Sequence, residues 1–249
     1  MDPLPASARA YLHAHDLPRI ESPTPQLVPV SALHSPGWWP GTSRAYADWI
    51  GTPHLAPGAA CALQHYTGRL LSVVVAVWAL TGRLMSLRPD LWRAEVDRHG
   101  ATRGVWHEDS ILGGPVTPAE LGTAIAAHVT PIAEAARRDS RLTLPVALGG
   151  PAASLAGAIA RVHRGVPAAG RSDVRRAGTA ALAALHDRAR RELVTLAADE
   201  VEPAMLQQHR TTCCLIRLGR DHGACDSCPR VPAAERVARQ RERHRGLTR

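Results

Sequence analysis

Four of the five cysteines lie close together near the C-terminal end of the sequence, with the spacing C-C-x10-C-x2-C. They are Cys213, Cys214, Cys225 and Cys228. Thiolates that are crowded in this way in a reducing cell usually bind a metal ion or an iron–sulfur cluster. Zinc ribbons and fingers normally carry two C-x-x-C knuckles, whereas this chain has one such knuckle and one adjacent pair. The pattern therefore predicts a metal or cluster site with an irregular arrangement of donors.

The sequence around these cysteines resembles the C-terminal signature of the FhuF-like ferric-siderophore reductases. The resemblance includes Arg210, three residues before the adjacent pair, and Pro229, directly after the last cysteine. Residues 149–158, G-G-P-A-A-S-L-A-G-A, resemble a small-residue segment of the same family. The resemblance implies a [2Fe–2S] cluster bound by the four cysteines, and it leaves open which cysteines share an iron.

The same resemblance implies an enzyme that reduces Fe(III)-siderophore complexes by one-electron transfer and releases Fe(II) in the cytosol. Siderophores hold Fe(III) through hard, anionic oxygen donors, which bind Fe(II) far less tightly. The four cysteines would act through the cluster, and Arg210 and His222 are candidates for a supporting role beside it. Arginine charge would stabilise the reduced, more negative cluster, while His222 would donate a hydrogen bond to a cluster sulfur.

The electrons for such a reaction are expected to come from a separate protein. The chain has no G-x-G-x-x-G, Walker or G-x-S-x-G motif, and therefore no recognisable site for a nicotinamide or flavin cofactor. The expected partners are the ferric siderophore and an external donor, which would be a ferredoxin, a flavodoxin or a reductase.

The sequence predicts a soluble, cytoplasmic protein. Residues 1–5 lack the basic and apolar regions of a secretory leader. The longest apolar run, residues 70–80, is about half the length that spans a bilayer. We therefore expect no transmembrane segment, while contact with a membrane surface stays open.

The apolar patterning predicts an α+β fold that is predominantly helical, with a β-hairpin region at residues 91–106 and a small C-terminal cysteine-rich iron–sulfur lobe. The expected division is a helix-rich FhuF-like domain over residues 1–202, a [2Fe–2S]-binding lobe over residues 203–230 and a basic C-terminal tail over residues 231–249.

Individual elements can also be predicted from local patterns. Helices are expected at residues 6–15, at 58–84 and from Ser172 to about residue 200, while residues 233–244 form either a last, highly charged helix or a frayed end. Leu193 and Leu196 belong to the apolar face of the third of these helices. Two L-G-G-P segments, residues 112–115 and 148–151, are predicted to form turns before alanine-rich helices. Cys61, which stands among apolar neighbours, is predicted to be an ordinary buried residue.

The charge leaves two alternative functions open. All thirty basic residues are arginine, and the chain contains no lysine, asparagine or phenylalanine, which indicates a GC-rich genome and weakens a nucleic-acid interpretation of the net charge of +8. Ten arginines and four acidic residues from residue 203 onward give that part a net charge of +6. One alternative is a zinc-stabilised binding module whose basic tail contacts nucleic acid or an acidic partner. The other is an electron-transfer or iron-sensing relative that keeps the cluster without reducing siderophores.

Overall fold

The protein is predominantly helical, with small antiparallel sheets. The computed structural model describes residues 2–3, 26–107 and 111–247, so the predicted helix at residues 6–15 lies outside the described residues. The helices are α1 (Trp39–Trp49), α2 (Leu55–Thr81), α3 (Pro118–Ser140), α4 (Leu144–Gly165), α5 (Arg171–Ala189) and α6 (Ala233–Leu247). The strands are β1 (Asp2–Pro3), β2 (Gln26–Pro29), β3 (Arg83–Met85), β4 (Trp92–Val96), β5 (Thr102–His107), β6 (Ile111–Pro115), β7 (Val194–Ala198) and β8 (Leu206–Arg210). The prediction of a predominantly helical α+β fold is confirmed.

Helices α2 and α4 pack against each other at the centre of the core. Helix α2 is buried along most of its length, which explains why its sequence is apolar on most sides. The helix predicted over residues 58–84 is present but ends earlier. Gly82 adopts a left-handed conformation (φ 68°) and its N–H bonds to the carbonyl of Trp78, which stops the helix before Leu84.

By length and composition alone, α2 and α4 are also apolar enough to cross a membrane. Their most apolar stretches are 67% and 56% buried inside the protein, respectively. Core helices of soluble proteins have the same character, so these two helices do not argue for a membrane span. The cytoplasmic location stays a prediction.

The two L-G-G-P segments are not the turns that the sequence predicts. Residues 112–115 lie in strand β6, and residues 148–151 lie inside helix α4. Pro151 in the helix interior removes one helical hydrogen bond. The small residues beside it allow close packing, because a Cβ atom on Gly149 would overlap the side chain of Thr212. The second segment is therefore a packing face of a core helix.

Helix α5 also ends earlier than its leucine spacing predicts. It stops at Ala189, where Arg190 takes a left-handed conformation (φ 51°). Leu196 lies in strand β7 and Leu193 directly precedes that strand, and both leucines are buried. The prediction that they belong to the helix is wrong, because the helix ends at Ala189 and Leu196 shares a buried strand face with Val194, two residues before it.

The predicted β-hairpin is confirmed by strands β4 and β5. They pair antiparallel, with Trp92 opposite His107. Along β4, the buried residues alternate with partly exposed ones, as expected for a strand with one face on the core. Trp92, Ala94 and Val96 form the buried face.

The predicted boundary at residue 202 falls between two paired strands. Strands β7 and β8 form an antiparallel hairpin, with Val194 opposite Arg210. The cysteine segment therefore begins as a continuation of a hairpin that starts in the preceding part of the chain. The division into a separate lobe at residues 203–230 stays a prediction, while the C-terminal helix predicted at residues 233–244 is confirmed by α6.

Candidate metal centre

Strand β8 leads directly into the cysteine segment, whose connecting loop is held against the helical core. Leu215, after the adjacent cysteines, has a left-handed backbone (φ 65°) and begins a short 3-10 helix at Ile216–Leu218. The loop then returns to the core, where the N–H of Arg220 bonds to the carbonyl of Ile50 at 2.9 Å. These contacts bring the C-x-x-C knuckle back to the adjacent pair.

The four predicted ligand cysteines come together as a row of thiols. The Sγ atoms of Cys213 and Cys228 lie 3.9 Å apart, and Cys214 lies close enough to Cys213 and Cys225 for the three thiols to shift one another's pKa values. All four cysteines are free. Within the described part of the chain, no group of three or more Cys, His, Asp or Glu side chains already has the arrangement of a metal site. The four sulfurs therefore lie near one another, but they do not surround a common point as the ligands of a metal ion would.

Within this row, the thiols differ in acidity. A hydrogen bond with Cys214 lowers the pKa of Cys213 to about 5, and it likewise lowers the pKa of Cys225 to about 5. The hydrogen bond with Cys213 raises the pKa of Cys214, and burial raises the pKa of Cys228. Since the thiolate is the metal-binding form of cysteine, Cys213 and Cys225 are the sulfurs most strongly biased towards ligation.

Arg210 places a buried positive charge beside this row. Its side chain is 3% exposed, and its Nη1 donates to Oε1 of Gln64 at 3.3 Å. Its Nε and Nη2 atoms have no hydrogen-bond partner among the described residues. The guanidinium charge contributes to lowering the pKa values of Cys213 and Cys225. A buried cation with unpaired donors is costly unless an anionic group completes its surroundings.

Cys61 joins the centre from a distant part of the sequence. It is buried, as predicted, but its Sγ donates to the carbonyl of Cys214 at 3.5 Å, and its side chain contributes to raising the pKa of the Cys214 thiol. The two residues are 153 positions apart, so no local spacing could reveal the contact. The interpretation of Cys61 as an isolated buried residue missed this contact.

His222 lies on the exposed part of the loop between the cysteines. Within residues 26–107 and 111–247, the structure records no hydrogen bond from His222 to a cysteine sulfur. The supporting role predicted for His222 therefore stays a prediction, whereas Arg210 has its charge beside the thiols.

Helix α6 holds the second half of the cysteine segment in place. The side chain of Gln240 bonds to both backbone groups of Gln208, at 2.9 and 3.0 Å, and so continues the edge of strand β8. Arg243 pairs with Asp226, the residue after Cys225, at 2.7 Å. The sequence predicted a basic C-terminal tail over residues 231–249, and it offered no signal that this helix anchors the neighbours of the cysteines.

A groove of about 470 Å³ opens between α4, β8 and α6. Arg210 and Cys225 are among its lining residues, so it reaches one of the four cysteines. Its floor is a strip of small residues on α4: Ala153, Ser154, Gly157 and Ala160. The volume is within the range of small-molecule sites in proteins.

Comparison with known proteins assigns no family to the chain. No protein-family model matches it, and no curated protein sequence matches it significantly.

Proposed function

We propose that the chain is a [2Fe–2S] protein that reduces Fe(III)-siderophore complexes by one-electron transfer and releases Fe(II) in the cytoplasm. The observation that carries this proposal is the gathering of four thiols beside Arg210, a buried cation of which two nitrogen donors have no partner in the part of the chain that the structure describes. The resemblance of the cysteine signature to the FhuF-like reductases points to the same function.

The residues present fit such a cluster by their chemistry. A [2Fe–2S] cluster takes four thiolate sulfurs and carries net negative charge. Cys213, Cys214, Cys225 and Cys228 would hold it, and the unpartnered Nε and Nη2 atoms of Arg210 match its charge. When bound, the cluster supplies one-electron redox chemistry.

The remaining contacts of the chain suit such a centre. Arg210 favours added negative charge beside the sulfurs, which would raise the reduction potential. Cys61 and the core beneath Cys214 exclude water from one side. Cys213 and Cys225 are only partly buried, which leaves a short path between the centre and a molecule at the surface. The electrons would come from a ferredoxin, a flavodoxin or a reductase.

The arginines of α6 weaken the alternative of a nucleic-acid-binding tail. Four of them already pair with carboxylates of the same chain. These pairs are Arg239–Glu235, Arg241–Asp199, Arg243–Asp226 and Arg245–Glu202. Arg239–Glu235 lies within α6, whereas the other three pairs join α6 to the hairpin and the cysteine segment. Much of the C-terminal positive charge is therefore neutralised by carboxylates of the same chain.

The first test is anaerobic purification followed by absorption and EPR spectra before and after reduction, with iron and zinc analysis. The proposal expects a coloured protein with about two irons per chain and a paramagnetic reduced state. The reduced protein is then mixed with a ferric siderophore, and Fe(II) is captured by a coloured chelator. Zinc without a chromophore would overturn the proposal. A cluster that transfers no electron to any ferric siderophore would favour the electron-transfer or iron-sensing relative.

A further inference from the structure

We infer that the groove between α4, β8 and α6 binds the iron chelate, and that it selects chelates with net negative charge over neutral chelates of similar size. This inference rests on the proposed function, because that proposal identifies the ligand as an iron chelate. The groove and its charges are independent of that proposal.

The position of the groove suits a substrate that must receive an electron. Cys225 and Arg210 are among its lining residues, so a molecule inside it would lie beside Cys225 without a bond to the protein. Arg210 is itself buried, so its charge acts on this part of the groove from within the protein. An outer-sphere electron transfer needs only a short distance, which this arrangement provides.

The walls of the groove away from the thiols are positively charged. They carry Arg161, Arg164 and Arg243, against one carboxylate, Asp226; three positive charges against one negative charge give a net charge of +2. Asp226 is already paired with Arg243 at 2.7 Å. Arg164 is half-buried, and no carboxylate pairs with it within the described residues. A negative cluster would repel an anionic chelate, and these arginines offset that repulsion.

The floor of the groove leaves room for a bulky ligand. The small residues of α4 project little, and a Cβ atom added to Gly157 would meet only the side-chain nitrogen of Gln208, at 3.9 Å. Filling this space with a larger side chain should therefore block the groove without a clash in the core. Glycine inside a helix is itself unfavourable by about 1 kcal/mol relative to alanine, so the open floor is not explained by helix stability.

The test uses gallium(III) chelates, because gallium(III) matches iron(III) in size and charge but is not reduced under these conditions. Binding of an anionic gallium tris-catecholate and a neutral gallium tris-hydroxamate to the purified full chain is measured by calorimetry. We expect the anionic chelate to bind at least about tenfold more tightly, with an affinity that falls as salt rises.

Three variants test the location of the site. Arg164→Ala should weaken binding of the anionic chelate by about tenfold and leave the neutral chelate unchanged. Arg138→Ala, which removes an exposed arginine of α3 outside the groove, is the matched control and should change neither. Gly157→Leu should weaken both chelates, and circular dichroism verifies that each variant is folded.

Equal affinity for the two chelates, or unchanged binding in Gly157→Leu, would overturn the inference. These outcomes are distinct from a failure of the proposed function, which is read from the metal content and spectra. Chelate binding in a chain that holds no iron–sulfur cluster would support the groove and remove the reductase proposal. A chain with the cluster but no chelate in the groove would remove the inference alone.

Discussion

The two ends of the β7–β8 hairpin each bury an ionised side chain, and they differ in how many hydrogen-bond partners that side chain has. At the turn end, Asp199 is 3% exposed, and its carboxylate accepts hydrogen bonds from the backbone N–H groups of Val201 and Glu202. It also accepts hydrogen bonds from the side chains of Gln207 and Arg241. At the cysteine end, Arg210 is equally buried, yet Gln64 is its one hydrogen-bond partner among the described residues. Buried polar groups are nearly always paired. The carboxylate at the turn end is therefore fully hydrogen-bonded within the fold. The guanidinium at the cysteine end is not, and an anionic group beside it would supply the missing acceptors.

The largest effect is expected from Cys225→Ser, which removes a thiolate at the open end of the hairpin. The visible cluster absorbance should disappear, while the helical content measured by circular dichroism should largely remain. The core helices do not need this sulfur for their packing. Cys61→Ala is the matched control and should keep the chromophore, since the four proposed ligands are intact. Unchanged absorbance in Cys225→Ser would exclude Cys225 as a ligand.

At the complete end of the hairpin, Asp199→Ala should destabilise the protein by about 3 kcal/mol, because it leaves the Arg241 guanidinium and two backbone N–H groups without their acceptor. Urea unfolding measures the loss, and Asp139→Ala, at an exposed carboxylate of α3, serves as the control with little change.

The pH dependence gives a second view of Asp199. Burial tends to raise its pKa, but the hydrogen bonds from the backbone, Gln207 and Arg241 outweigh burial, so the pKa of Asp199 is lowered. Its contribution to stability is therefore present above the ordinary pKa of about 4 and is lost as the pH falls through the lowered folded-state value. The stability difference between wild type and Asp199→Ala should shrink on acidification below pH 4. A constant difference would contradict this assignment.

Gly149→Ala tests how the cysteine end is attached to the core. The added Cβ would overlap the side chain of Thr212, the residue before the adjacent cysteines, so the segment must shift. We expect a loss of about 2 kcal/mol in unfolding free energy and a lower iron content. Gly157→Ala lies on the same helix in open space and should be neutral or stabilising. Equal behaviour of the two variants would show that the close approach at Thr212 carries no constraint.

The smallest effect on stability is expected from Arg210→Met. Whether the free energy of unfolding rises or falls in this variant is the informative result. In the metal-free chain the substitution removes a buried, incompletely paired charge, so stability should be unchanged or higher by about 1 kcal/mol. In the cluster-loaded protein it should lower the reduction potential, because the nearby positive charge is lost. Thermal unfolding of the metal-free chain and redox titration of the loaded chain measure the two effects. A strong destabilisation of the metal-free chain would show that Arg210 is paired within the fold after all.

Local patterns predicted those parts of the fold that depend on neighbours in the chain. Alternation of apolar residues in 91–106 predicted the β4–β5 hairpin, and the charged pattern of 233–244 predicted α6. The spacing of Leu193 and Leu196 suggested a helix, because residues three apart share a helix face. In the structure Leu196 is buried by the alternation of β7, and Leu193 is buried just before that strand. The L-G-G-P segment at residues 148–151 looked like a turn, because the chain that packs on Gly149 lies 63 residues later.

By itself, the sequence determined a predominantly helical fold and singled out the four cysteines as one candidate site, because helix periodicity and thiol spacing are local properties. Only the tertiary structure decided that Cys61 touches Cys214, that Gln240 anchors β8, and that a charged groove reaches Cys225. It also decided that Arg210 is buried beside the thiols with unpartnered donors. Burial and unsatisfied charge depend on which distant segments pack together, and no spacing along the chain encodes that directly.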